Sequence, residues 1–97
     1  MNVIAEDTPE TEREDADFRL HANDVTGTVS LDARDIQPSA PAGMIAEAMA
    51  SRMQLPSNVP WMLRSDRTGA FLEEDQPIGD QIETGSRVVV TPKTHLG

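Results

Sequence analysis

Ser86-Arg87-Val88-Val89-Val90 is the stretch on which the fold turns. Three consecutive β-branched residues leave no polar side for water, and such a run suits a strand in the middle of a sheet. Thr84-Gly85 before it reverses the chain, the glycine being able to take positive φ. Every segment able to pair with this last strand lies far earlier. It is therefore expected to slot beside the first strand, in parallel.

Upstream, Trp61 to Arg64 follows Pro60 as a short strand. The turn Asp66-Arg67-Thr68-Gly69 and a stub strand, Ala70 to Leu72, come next. Glu73-Glu74-Asp75 reads as a solvated loop, and Ile78 and Ile82 drop apolar anchors from a short helical turn. From Ala42 to Gln54 the period changes: Ile45, Ala48 and Met49, then Met53 or Leu55, recur at helical spacing. Pro38 and Pro41 bracket the start, with Ser39 as N-cap candidate, and Pro56 ends the helix. A methionine stripe at this spacing is core filler. Ahead of the helix lie two alternating stretches. Asp17 to Ala22 sets Phe18, Leu20 and Ala22 against Arg19 and His21; Thr28 to Ala33 sets Val29, Leu31 and Ala33 against Thr28, Ser30 and Asp32. Joined through Asn23-Asp24 and Gly27, they read as an antiparallel hairpin.

The order is hairpin, helix, short strand, stub, last strand. This is an α+β fold of β-grasp architecture: a mixed sheet of four to five strands with one helix packed across one face. The domain is expected over 17–91. Met1 to Asp17 holds seven acidic residues and one basic, too little apolar surface to offset ordering entropy, so 1–16 is expected to be a disordered acidic tail. Residues 92–97 are expected to be a flexible C-terminal tail. A domain of this size buries roughly 60% of its unfolded surface, enough to fold without staples. There is no cysteine, which excludes disulfides, thiolate metal sites and a cysteine nucleophile and fits a reducing cytoplasm. No apolar run reaches about 18 residues and the acidic start is the opposite of a signal peptide, so no membrane association is expected. A net charge of −9 argues against nucleic acid.

Catalytic chemistry is not visible. His21 and His95 are too few and too far apart for a metal site; His21 is expected to point outward from the first strand. No serine–histidine–acid set and no phosphate-cradling glycine loop occurs. Glu73 and Glu74 have no apolar pocket to raise a pKa. The expectation is a protein that is no enzyme and takes no metal or cofactor.

From Asp17 to Gly97 the chain resembles ubiquitin-like proteins. Leu55-Pro56 matches the apolar-proline pair that leaves the family's helix. Leu72-Glu73-Glu74-Asp75, then Ile78, Ile82 and Ser86 to Val90, follow its order of leucine, acidic turn, two anchors and last strand, with one deletion near Gln81. Trp61-Met62-Leu63-Arg64, with Gly69, Gly85 and Pro92, is similar to the bacterial YukD-like branch. Some members of that branch work without conjugation beside secretion machinery. Others are encoded with conjugation enzymes in operons implicated in phage defence. The resemblance places Gly97 on the final glycine of processed ubiquitin and Lys93 on a basic position that activating enzymes read. It implies a protein modifier: Gly97 as the conjugated residue, Lys93, His95 and Leu96 as tail residues recognised by an E1-like activating enzyme, then an E2-like conjugating enzyme, a protein target and a JAB-type peptidase as partners. The free protein is expected to be a monomer. The alternative is a noncovalent YukD-like binding module. Ending Leu96-Gly97 where sulfur carriers end Gly-Gly, the chain fits that third reading less. In the register the resemblance implies, Met62 points into the core, while Trp61 and Leu63 join Val89 as a partner-binding patch on the open sheet face. A slip of one residue would instead put Trp61 in the core.

Overall fold

The computed structural model of the chain describes residues 18–93. The N-terminal tail expected over 1–16 lies outside the described residues, as do residues 94–97 of the C-terminal tail. The hairpin consists of Phe18–Asp24 (β1) and Ser30–Ile36 (β2), antiparallel, with Leu20 opposite Ala33 and Ala22 opposite Leu31. Asp24 builds its turn: the carboxylate accepts the Thr26 hydroxyl at 2.8 Å and the N–H groups of Thr28 at 3.0 Å and Val29 at 3.1 Å. These donors, the Thr26 hydroxyl foremost, hold the Asp24 carboxyl below its ordinary value.

The helix Ala42–Arg52 (α1) follows. Its N-cap is Pro41, not Ser39, and no side chain caps it. Carbonyls from a later loop do the work: Ala42 N–H donates to Gln76 at 3.0 Å and Gly43 N–H to Glu74 at 2.9 Å. The helix stops at Arg52, ahead of the expected Gln54, which takes φ +62°.

Trp61–Ser65 (β3), a 3-10 turn at Ile78–Asp80 and Arg87–Pro92 (β4) complete the fold. The stub expected at Ala70 to Leu72 reduces to a single bridge between Arg64 and Phe71. The sheet therefore has four strands, in the order β2-β1-β4-β3. β4 lies parallel to β1, with Ala22 opposite Val88, and antiparallel to β3, with Leu63 opposite Val90. The expected position of the valine run, inside the sheet and beside the first strand, is the observed one. β4 reaches Pro92, so the first residue of the expected tail still belongs to the sheet. The helix lies on one face, and between them Leu20, Ala22, Ala46, Met49, Leu63, Ile78, Val88 and Val90 form the core. Among the described residues no helix is long and apolar enough to cross a membrane.

Candidate functional site

The expected patch of Trp61, Leu63 and Val89 does not form. Trp61 and Leu63 are in the core cluster, 7% and 1% exposed. Met62 takes the far face of the sheet, where it was expected to point inward. The cause is register. Leu63 pairs with Val90 and Ser65 with Val88, which sets the odd-numbered residues of β3 in step with the core valines, and a slip of one residue exchanges every side chain between faces. Trp61 suits its place at the core edge because both its donors are satisfied: Nε1–H to the Pro56 carbonyl at 2.9 Å, and the backbone N–H to Glu47 Oε2 at 3.1 Å. Val89 does lie on the far face, but it and Met62 are each less than a tenth exposed. The exposed large apolar side chains among the described residues are Val25, Met44 and Phe71. His21 points outward as expected, and its Nδ1 lies 2.5 Å from Asp32 Oδ1.

A more built arrangement stands where β4 ends. Pro92 pairs with Trp61, and the next residue, Lys93, donates its N–H to the Pro60 carbonyl at 3.0 Å. Lys93 Nζ lies 2.6 Å from Glu74 Oε2; the two side chains are 29% and 42% exposed, so water still screens the pair. Glu74 belongs to the acidic run read from sequence as a solvated loop. The run is instead tied at Glu73 and Glu74. The Gln81 side chain behaves as a backbone partner, its Oε1 accepting the Glu73 N–H at 2.6 Å and its Nε2 donating to the Glu73 carbonyl at 2.9 Å. Against the first turn of α1, Gly43 makes room for Glu74: a Cβ there would lie 3.1 Å from Glu74 Cβ and 3.2 Å from its carbonyl oxygen. Helix start, acidic turn and strand end thus meet around Lys93. Met62 and Phe71 border the same side, in a recess shared with Leu72 and Glu74.

Of the four tail residues given a role, Lys93 lies within the described range and His95, Leu96 and Gly97 lie outside it. Glu74 was missed by the sequence reading. Its signal was the lone lysine of an acidic chain, placed at the end of the central strand. Among the described residues no group of histidine and carboxylate side chains could hold a metal ion.

One helix across a four-stranded mixed sheet, with the last strand inserted beside the first, defines the ubiquitin-like β-grasp fold. Among solved structures the chain is similar to the ubiquitin of Caldiarchaeum subterraneum, with a TM-score of 0.63 and 15% identity, over 78% of this chain and 92% of that one. At that identity the likeness is one of fold. No protein-family model matches the chain, and no curated protein does.

Proposed function

We propose that the chain is a bacterial ubiquitin-like protein modifier, joined to its targets through the carboxylate of Gly97. The observation that carries this reading is the end of β4. The strand is paired on both sides from Arg87 to Val90 and with β3 as far as Pro92, and Lys93 is held by its backbone and its side chain. The residues from Thr94 to Gly97 therefore start from a fixed point, and their full reach is about 14 Å at ~3.5 Å each. An anchored strand followed by a short segment is the geometry that threading a carboxylate into a partner enzyme requires.

In the proposed chemistry, an E1-like enzyme brings a Gly97 carboxylate oxygen against the α-phosphate of ATP and pyrophosphate leaves. A thiol then displaces AMP from the acyl adenylate to give a thioester, which passes to the thiol of an E2-like enzyme. An amine of the target attacks the thioester carbonyl, forms the amide and expels the thiol. Glycine leaves that carbonyl unhindered. Lys93, His95 and Leu96 are the residues the activating enzyme grips, and for Lys93 this means exchanging Glu74 for an acid of the enzyme. A JAB-type peptidase reverses the bond. The chain supplies no catalytic group of its own. Lys93 is its only lysine, so a homopolymer must use the N-terminal amine, Lys93 or a hydroxyl. The resemblance of Trp61 to Arg64 to the YukD-like branch is compatible with this reading through those members encoded with conjugation enzymes, which would make the system a cytoplasmic one of the kind implicated in phage defence.

The test uses the chain in the cells that encode it, tagged at its N-terminus and purified under denaturing conditions. Trypsin cuts after Lys93, so each conjugate should leave Thr94-His95-Leu96-Gly97 on the modified residue of the target. Mass spectrometry is expected to find this tetrapeptide remnant. Deleting Gly97 should abolish it, because the tail loses ~3.5 Å of reach and an error of about 1 Å already costs a hundredfold in rate. Absence of the remnant from the intact chain would overturn the reading in favour of a noncovalent binding module.

A further inference from the structure

We infer that the recess between the start of α1 and the acidic turn is a docking site for an arginine side chain, carried on an apolar segment of a partner protein. The inference does not rest on the conjugation chemistry. The recess has a volume of about 720 Å³ and a mixed wall. Met62, Phe71 and Leu72 give it an apolar side, while Glu73, Glu74 and Asp75 give it three acidic residues in succession. Its volume lies within the range of ligand pockets, about 300–1,000 Å³. Arginine matches such a wall better than lysine does. Its guanidinium is planar, stacks on an aromatic face and forks to carboxylates, whereas the lysine ammonium is a compact, strongly hydrated point charge.

Three observations select this occupant. The first is charge. From Leu72 to Ser86 the chain carries Glu73, Glu74, Asp75, Asp80 and Glu83 and no lysine or arginine, so the recess opens in a stretch of one sign and favours a cationic visitor. The second is that the site already holds a cation of the chain's own: Lys93 Nζ lies 2.6 Å from Glu74 Oε2. Glu73 and Asp75 make no ion pair among the described residues, so one lysine leaves most of the charge unmatched. The third is Phe71, which is 44% exposed although its backbone is fixed on both sides. The Ala70 carbonyl accepts the Ser65 N–H at 2.8 Å, and the Leu72 N–H donates to the Leu63 carbonyl at 2.9 Å. Arg64, across the bridge from Phe71, does not line the recess. The acids are fixed as well, Glu73 by Gln81 and Glu74 by the Gly43 N–H at its carbonyl. A site held ready in this way loses little freedom when it is filled. The arriving guanidinium lies against Phe71 and forks to Glu74 in competition with Lys93, while an apolar neighbour of the arginine covers the Met62 side.

The test follows the amide NMR shifts of the full chain at low salt as a capped leucine–arginine–leucine peptide is added. Two further peptides carry lysine or citrulline in place of the arginine; citrulline keeps the shape and removes the charge. The amides of Gly43 and of Phe71 to Asp75 are expected to shift with the arginine peptide, which should bind several-fold tighter than either of the others. Phe71→Leu keeps the apolar bulk and removes the ring face. This variant and Glu74→Gln should each weaken binding several-fold while the Trp61 emission stays unchanged. Lys93→Gln should strengthen it, because Glu74 loses its competitor. The absence of shifts at these amides would overturn the proposal. Equal binding of the arginine and lysine peptides, indifferent to Phe71→Leu, would overturn it too, by reducing the recess to a diffuse negative field.

Discussion

Leu63 carries the register of β3. Buried at 1% exposure against Val90, it should cost about 2–5 kcal/mol when truncated to alanine. Leu63→Asp, which would be harmless on an open face, is expected to leave the chain unfolded. Urea denaturation followed by Trp61 emission distinguishes these outcomes; a stably folded Leu63→Asp chain would restore the opposite register. The slip in the sequence reading has a physical origin. Trp61-Met62-Leu63 are all apolar, so alternation has nothing to lock onto, and the resemblance was left to set the phase. Arg64 held the missing information, because a charged residue beside the core strand belongs on the far face and fixes Leu63 inside. Asp24 is the opposite case, fully legible as a turn residue. Its depressed pKa means that the folded chain gains stability above the ordinary value of 3.8 and loses it as pH falls through the lower folded value. Thermal melts should show Asp24→Ala below the parent at neutral pH, with the gap closing in acid. A gap that stays constant would assign the effect to the turn backbone alone.

At the scale of elements, period made the hairpin and the helix readable and apolar runs made β3 and β4 readable, while the ends were not. Helix α1 announced itself through Ile45, Ala48 and Met49, yet its first N–H groups are satisfied by Glu74 and Gln76, some thirty residues away in the chain. A cap supplied by a distant loop leaves no local signature, which is why Ser39 looked suitable. The stub at Ala70 to Leu72 failed for a related reason: a single bridge at Phe71 is all its pairing with β3 supports. The 3-10 turn shows what such long-range fits cost when disturbed. Gly79 N–H donates to the Pro38 carbonyl at 2.8 Å, and a Cβ at Gly79 would lie 2.6 Å from Pro38 Cβ. That is closer than any real contact, with a proline ring unable to swing aside. Gly79→Ala is expected to destabilise by about 1–3 kcal/mol as the turn is forced off the loop before α1. A chemical melt reads this directly, and an unchanged midpoint would mean that the loop moves freely.

For the molecule as a whole, the question is how the fold controls the point where its chain leaves the sheet. The ubiquitin-like order was legible because one valine run demanded a central, late strand. The acidic turn at its exit was not, since Glu73-Glu74-Asp75 looks like any solvated run until Gln81 and Gly43 are seen to hold it. Together they turn Glu74 toward Lys93. A half-exposed ion pair adds little stability, about 0–1 kcal/mol, so the effect of losing it should appear in the lysine. Because Lys93 is the only lysine, its availability can be measured without interference from other side chains. A water-soluble acetylating ester must reach the amine, and an Nζ held 2.6 Å from a carboxylate oxygen is less open to it. In Glu74→Gln the amide removes the charge while keeping the shape, so Lys93 should acetylate faster although the melting midpoint barely moves. Peptide mapping separates this from the N-terminal amine, since acetylation of Lys93 blocks tryptic cleavage there. Raising the salt concentration should bring the parent toward the variant, as screening weakens the pair. Equal rates at low salt would mean that Glu74 does not restrain the lysine in solution. The start of the tail would then be set by the Lys93–Pro60 backbone bond alone.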